Sequence, residues 1–312
     1  MSERPPFEEP SLFWQELARE HAAELERYGL PQIKRRQALR YFTWRWRCAA
    51  LRESHQLRFL FTHSSPATFF RCLFSSASLS GSGWDGVSWP RRERWLYVYA
   101  VRLLWEYALK SDELGVLKLP EPELGNPLPV YWKGRLISQD LANSALEASV
   151  IARSLYGTSP RSIVEVGAGY GRTAYALLSV FPDATYTVVD IEPALTISRW
   201  YLTSLFPAKR LQFMRPSDTG RLGDASIDLV VSVSSLHEMR FDQVEAYLRL
   251  FDRIAAGGAV YLKQWERWTN PVDGVTLAFD EYPIPSGWRT LVAEPAPVQT
   301  NFRQAVWRVR PT

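Results

Sequence analysis

Residues 163–172 read Ile163-Val164-Glu165-Val166-Gly167-Ala168-Gly169-Tyr170-Gly171-Arg172. An apolar, β-branched run takes in one acidic residue, and three glycines then follow at alternate positions. The run is a buried strand. The glycines mark a turn where backbone approaches a ligand closely, because without a Cβ they adopt positive φ at little cost. The residues that follow, Arg172 to Phe181, have a helical composition, so the unit is strand, glycine turn, helix.

Working outward, Thr185-Tyr186-Thr187-Val188-Val189-Asp190 is a second strand that ends on an acid. A carboxylate at that strand end accepts hydrogen bonds from a vicinal diol, the place a Rossmann-type sheet reserves for a ribose. Ile191 follows and falls near an adenine face. The glycine spacing narrows the ligand. Dinucleotide proteins use Gly-x-Gly-x-x-Gly, aiming a helix N-terminus at a pyrophosphate. Here the spacing is Gly-x-Gly-x-Gly with Glu165 two positions before Gly167. This resembles motif I of the class I S-adenosylmethionine-dependent methyltransferases. The resemblance implies S-adenosyl-L-methionine as cofactor. Glu165 would then face its ammonium group, directly or through water. Gly167, Ala168, Gly169, Tyr170 and Gly171 would lie against it, and Asp190 and Ile191 would meet the ribose and the adenine. Dinucleotide binding and a purely structural turn are the competing readings.

From residue 161 strands alternate with helices, which predicts a parallel sheet covered by helices. The strands expected are 162–166, 185–190, 211–214, 227–233 and 258–264, with a final pair at 289–294 and 302–309. Before them the chain reads as helical over 10–62, with Pro31 opening a second helix, and again over 91–110. In the latter, Trp95, Val98, Val101, Trp105 and Ala108 share one face. Ser75 to Ser88 reads as a loop and 112–134 as an irregular connector. A further helix starts at an N-cap, Ser138, and stops at Gly157. The fold class expected is α/β: a Rossmann-like class I methyltransferase sheet with an N-terminal all-helical region. Residues 1–130 would form the helical lid, substrate or oligomerisation region, and 131–312 the catalytic domain.

In open parallel sheets the ligand lies beyond the carboxyl ends of the strands. The strand 227–233 runs into Ser234-Ser235-Leu236-His237-Glu238-Met239, which makes this segment the catalytic candidate. Ser234 is expected beside the cofactor. A neutral imidazole suits the removal of a hydroxyl proton near neutral pH, so His237 is the candidate general base and Glu238 its orienting or substrate-binding neighbour. Against this, His237 could merely cap the next helix while Glu238 stays on the surface. Lys263, at the next strand end, is a catalytic candidate that could bind substrate or lower a hydroxyl pKa, or could simply lie on the surface. Trp265 and Trp268 are a candidate stacking wall or simply core. The ring of Tyr170 offers a cation–π contact to a sulfonium, which makes it a catalytic candidate too. Gln139, Asp140 and Asn143 on the preceding helix are weaker candidates for covering the amino-acid end of the cofactor. No Asp-rich or Cys/His cluster suggests a metal.

The 312 residues carry a net charge of +4, 46% hydrophobic residues, and 13 Trp, 14 Tyr and 15 Phe. Two cysteines, Cys48 and Cys72, do not make a disulfide framework, and no leader or membrane-length apolar segment stands out, so a cytoplasmic protein is expected. Lys34, Arg35, Arg36, Arg40, Arg45, Arg47, Arg52 and Arg58 interleave with Tyr41, Phe42, Trp44 and Trp46. Such a pattern fits a solvated or lid helix, then an acidic substrate or carrier contact, and least a nucleic-acid surface.

Residues 164–172, 234–239, 263–265, Asn270-Pro271 and 282–288 together resemble the sugar O-methyltransferases of polyketide antibiotic clusters, the nanchangmycin sugar methyltransferase type. The likeness spans about 130–310. It implies O-methylation of a small-molecule acceptor, a sugar or another natural-product intermediate, free or carrier-bound, with no membrane partner and with a homodimer as one role for the helices. Two alternatives stay open. One is a cyclase or lyase that attacks the cofactor's own amino-acid chain and releases methylthioadenosine. The other is an RNA methyltransferase, although the Asn/Asp-Pro-Pro-Tyr/Phe motif of base-modifying enzymes is absent after 233.

Overall fold

The computed structural model describes residues 10–36, 54–73, 84 and 89–311, with the side chains of 54–58, 72 and 73 excepted. The chain divides into two compact units, residues 23–149 and residues 1–22 with 150–312. The divisions fall inside two helices. The segment 131–149 therefore groups with the helical unit, and the first 22 residues group with the sheet.

The helices before the sheet are α1 (Leu12–Tyr28), α2 (Ser54–His63), α3 (Pro66–Leu73) and α4 (Arg91–Ala108). A two-residue hairpin, β1 (Tyr131–Trp132) with β2 (Arg135–Leu136), precedes α5 (Gln139–Ser154). On α4 the stripe Val98, Val101, Trp105, Ala108 is buried as its spacing requires. Arg102, also buried, donates from Nε (3.0 Å) and Nη2 (2.7 Å) to the carbonyl of Tyr131, tying α4 to the hairpin. Pro31 does not open a second α-helix. It sits in a 3₁₀ turn, Leu30–Gln32, entered through Gly29 at φ 72°. The chain then bends so that Lys34 N–H donates to the carbonyl of Gly125, at 2.8 Å. Lys34 pairs with Glu121 at 2.8 Å with both side chains buried, and Arg35 Nη2 donates to Asn126 Oδ1. These cations are committed inside the helical unit. Arg40, Arg45, Arg47 and Arg52 with their aromatic neighbours, the side chain of Arg58 and most of the 75–88 stretch lie outside the described residues. Ser138 caps α5, accepting from Leu141 N–H at 3.0 Å.

In the sheet unit the chain runs β3 (Ser162–Val166), α6 (Arg172–Val180), β4 (Thr185–Val189), α7 (Ala194–Leu205), β5 (Leu211–Met214), β6 (Leu229–Val233), α8 (Phe241–Ile254) and β7 (Ala259–Trp265). A small hairpin of β8 (Arg267–Thr269) and β9 (Thr276–Ala278) comes next, and β10 (Arg289–Pro295) and β11 (Phe302–Arg308) close the fold. The seven-stranded order is β10-β11-β7-β6-β3-β4-β5. The five strands from β7 to β5 are parallel, and the last pair is antiparallel. This is the α/β, Rossmann-like architecture expected of the sequence. β-branched runs fill the central strands because both faces are covered. α8 contributes Val244, Tyr247, Leu248, Phe251 and Ile254 to one core with Val164, Val230 and Val260. Trp288, from the 282–288 stretch, donates from Nε1 to Asp252 Oδ1 at 2.7 Å.

Chain order reverses between β3 and β6. β4 and β5 extend to one side, β6 and β7 to the other, so a crevice opens at the carboxyl ends of β3 and β6.

The turn from α8 into β7 allows a direct test of packing. A Cβ on Gly258 would lie 2.5 Å from the Ile227 carbonyl oxygen and 2.8 Å from that of Asp228, neither of which can move without breaking the β6–β7 entry. Gly258→Ala is expected to cost about 2–3 kcal/mol. Gly220→Ala, where a Cβ meets nothing within 4 Å, should stay within about 0.5 kcal/mol of the parent. Urea denaturation of the two variants measures the contrast.

Candidate active site

The cleft at the β3/β6 switch point is open to solvent and spans about 430 Å³, open solvent included. Val166 and Gly167 end β3, and Val189, Asp190 and Ile191 end β4. Ser235 and Met239 come from the segment after β6, and Gln243 and Tyr247 from α8. Its remaining wall is Pro216, after β5, with Pro10, Ser11 and Trp14 at the start of α1. Ser11 Oγ donates to the Glu238 carbonyl at 3.0 Å, and Phe13 packs edge-on to Trp268 at 5.3 Å. The first turn of α1 thus belongs to the cleft, although nothing in its local sequence distinguishes it.

The glycine turn is held from several sides. Gly167, Gly169 and Gly171 all take positive φ (75°, 59° and 97°). Gly167 also needs its missing Cβ for packing, since one built there would lie 2.1 Å from Ser235 Oγ. The Ala168 carbonyl accepts from Gly171 N–H at 2.9 Å. Tyr170 is buried with its ring edge-on to Tyr201 of α7, at 5.1 Å, and does not line the cleft. Glu165 is buried in β3 and accepts from Tyr186 Oη at 2.8 Å.

Asp190 is 8% exposed and opens on the cleft. Its Oδ2 accepts from Gly169 N–H (3.0 Å) and its Oδ1 from Ile191 N–H (2.8 Å). Burial pushes its pKa up to about 7; the neighbouring N–H groups oppose that rise, and Glu192 adds to it. The Ala168 N–H also bonds this carboxylate, and its two oxygens together keep acceptor capacity beyond these three bonds, the requirement for gripping a diol. An acid beside apolar Val189, Ile191 and Met239, next to a close-packed backbone turn, fits an adenosine-bearing cofactor.

After β6, Ser234 is exposed at φ 56°, a left-handed conformation uncommon for a residue with a Cβ. His237 is 1% exposed, and the rings of Trp268 (5.4 Å), Phe302 (6.1 Å) and Trp265 (6.3 Å) surround it. Burial lowers its pKa to about 4, partly opposed by its hydrogen bond to Gln264 Oε1. Its Nε2 stands 3.6 Å from Glu238 Oε1. Glu238 is buried, not on the surface, and His237 lies in a short 3₁₀ turn, Leu236–Glu238, ahead of α8. Lys263 is buried on β7 with Nζ 5.9 Å from the Phe302 ring centre. Trp265 and Trp268 are half-buried and wall His237. Asn270 closes the β8–β9 turn through its own side chain, its Oδ1 accepting from Val272 N–H. Asn143, Gln139 and Asp140 lie on α5 within the helical unit, and Asn143 Oδ1 is buried with no hydrogen-bond partner among the described residues.

Residues 164–260 match the family model described as a methyltransferase domain. The chain carries a class I S-adenosylmethionine-dependent methyltransferase domain. The protein is an enzyme of that chemistry, and S-adenosyl-L-methionine is its cofactor. Among solved structures it is similar to the PH0226 protein of Pyrococcus horikoshii OT3 (12% identity, TM-score 0.43, covering 55% of this chain and 92% of that one). It is also similar to a SAM-dependent methyltransferase of Aquifex aeolicus (14% identity, TM-score 0.41, 52% and 89%). Likeness at this level says nothing of the acceptor. No curated protein matches the chain. Among the described residues no helix is long and apolar enough to cross a membrane.

The methyltransferase's least foreseen residue is Gln264. An amide near the end of an apolar strand must find partners where it is buried, and that is its one signal. Ser235 and Trp14 had none, since their roles arise from contacts with residues remote in the chain.

Proposed function

We propose that the enzyme methylates a hydroxyl of a sugar or another natural-product intermediate, free or carrier-bound. The observation that carries this is the buried His237–Glu238 pair, 3.6 Å apart, on the segment whose Ser235 and Met239 line the cofactor cleft. The likeness of 234–239, 263–265 and 282–288 to sugar O-methyltransferases supports the same acceptor class.

In this reading Asp190 holds the ribose diol, Ile191 faces the adenine, and Glu165 takes the ammonium. The backbone of Gly167 to Gly171 and Ser234 shapes the wall around the sulfur. Tyr170 anchors the turn through Tyr201. When bound, S-adenosylmethionine supplies a methyl group on a positively charged sulfur. The protein holds the acceptor oxygen in line with that carbon, and orientation of this kind is a large part of the rate. The hydroxyl proton passes to the buried His237–Glu238 pair, whose side chains stand 3.6 Å apart on the segment that gives Ser235 and Met239 to the cleft wall. Lys263 lowers the cost of negative charge on the acceptor oxygen. The helical unit is read as acceptor cover or dimer contact.

The test is product identity. The pure enzyme is incubated with S-adenosylmethionine, with and without hydroxylated deoxysugar and polyketide acceptors, and the nucleosides are identified by mass spectrometry. S-adenosylhomocysteine formed only with a hydroxyl acceptor is the expected result. Methylthioadenosine formed without an acceptor would overturn the reading in favour of a cyclase or lyase. His237→Gln and Glu238→Gln should each lower kcat by about 10²–10⁴-fold; full turnover in both would remove the pair from the chemistry.

A further inference from the structure

Gln264 is wholly buried at the end of β7, and its side chain makes four hydrogen bonds. Oε1 accepts from Ser235 N–H at 2.9 Å and lies 3.0 Å from His237 Nδ1. Nε2 donates to the Ser232 carbonyl at 3.0 Å and to Ser232 Oγ at 3.2 Å. Both ends of the amide are therefore fixed by backbone groups. A flipped amide would set its NH₂ against the Ser235 N–H and its oxygen against the Ser232 carbonyl. With the oxygen facing His237, Nδ1 must carry the proton, and Nε2 turns a lone pair toward Glu238.

We infer that Gln264 is a positioning residue that holds His237 in its Nδ1–H tautomer and seats residues 234–238 against the glycine turn. The first part rests on the reading in which His237 and Glu238 take the acceptor's proton, because only this tautomer leaves Nε2 able to receive one. The second part follows from Ser235. The oxygen that meets His237 also holds Ser235 N–H, and the Ser235 side chain fills the space that a Cβ on Gly167 would require. One amide thus links the proton-accepting pair to the cofactor turn. Water cannot stand in for it, since three aromatic rings and 1% exposure exclude solvent from His237. The partner on one ring nitrogen decides the state of the other.

The chain has four histidines, so ring-labelled ¹⁵N spectra of the full-length protein resolve them, and the signal lost in His237→Gln assigns His237. The wild type should show Nδ1–H between pH 6 and 8, where free imidazole favours Nε2–H. Gln264→Glu, buried and protonated on the oxygen that meets the Ser232 carbonyl, keeps an acceptor toward His237 and should keep Nδ1–H. Gln264→Leu should lose that tautomer and raise the Kd for S-adenosylhomocysteine by about tenfold. An Nε2–H signal in the wild type or in Gln264→Glu overturns the inference. So does Gln264→Leu with both the His237 signal and the Kd unchanged. If Gln264→Leu does not fold, the other two spectra decide. The spectra do not depend on turnover: an Nδ1–H signal with methylthioadenosine as product would refute the proposed reaction and leave the positioning role standing.

Discussion

Gly167→Ala is expected to destabilise the protein by about 2–5 kcal/mol and to abolish measurable cofactor binding. Two costs add. A Cβ at φ 75° carries the left-handed penalty of about 1–2 kcal/mol. The same atom would sit 2.1 Å from Ser235 Oγ and 2.4 Å from Ser235 Cβ, and overpacking of this kind costs about 1–3 kcal/mol. Ser235 cannot retreat, because its N–H is held by Gln264 and the segment behind it is buried. Relief would have to come from the glycine turn moving into the cleft that Gly167 lines. The double variant Gly167→Ala/Ser235→Gly separates the two costs. It removes the clashing atoms and leaves the backbone penalty, so it should recover about 1–3 kcal/mol of the loss. Urea denaturation of the four proteins in the cycle measures this. Strictly additive effects would show that the two residues do not meet.

Asp190→Asn should weaken binding and remove a pH dependence from stability. Burial pushes the Asp190 pKa in the folded protein up to about 7, from an ordinary carboxyl value of 3.8. Above pH 4 the folded state therefore binds more protons than the unfolded one, and stability falls as pH rises toward 7. The full cost, on the order of 4 kcal/mol, is present above pH 7. The asparagine variant escapes this titration but sets its NH₂ against the Gly169 or the Ile191 N–H, so it starts less stable at pH 4 and its Tm should gain on that of wild type from pH 4 to pH 7 and then level off. The same variant loses charge-assisted bonds to the ribose and should bind about 100-fold more weakly. In the wild type only the ionised carboxylate grips the diol, so affinity should rise about tenfold from pH 6 to pH 8. Methylthioadenosine is the suitable ligand, since it lacks the amino-acid end that titrates on its own. Calorimetric titration across that range, flat in wild type, would show that Asp190 does not meet the ribose.

The residues of the cleft differ in how far their chain neighbourhood announces them. Gly167 to Gly171, Asp190 and Ile191 follow directly from strands whose β-branched runs are readable by themselves, and the strand boundaries fall within about two residues of expectation. His237 is readable as a candidate because an imidazole after a central strand is chemically distinctive. Its burial is not readable, since the rings that enclose it come from Trp265, Trp268 and Phe302, the last 65 residues further on. Pro31 misleads for a related reason. Proline at a helix start is a sound local signal, but the Lys34–Gly125 backbone bond and the Lys34–Glu121 pair bend the chain away.

The sequence by itself determined the α/β sheet, the glycine turn and, through the spacing of Gly167, Gly169 and Gly171 with Glu165 and Asp190, the kind of cofactor. These properties depend on backbone preference and on residues a few positions apart, so they are written locally. Only the tertiary structure decided that Ser235 occupies the space beneath Gly167, that Gln264 sets the state of His237, and that the first turn of α1 walls the cleft. Each of these is a contact between residues from 27 to more than 200 positions apart. Such contacts exist once the sheet order brings the ends of β3, β6 and β7 side by side, and no local pattern encodes that neighbourhood.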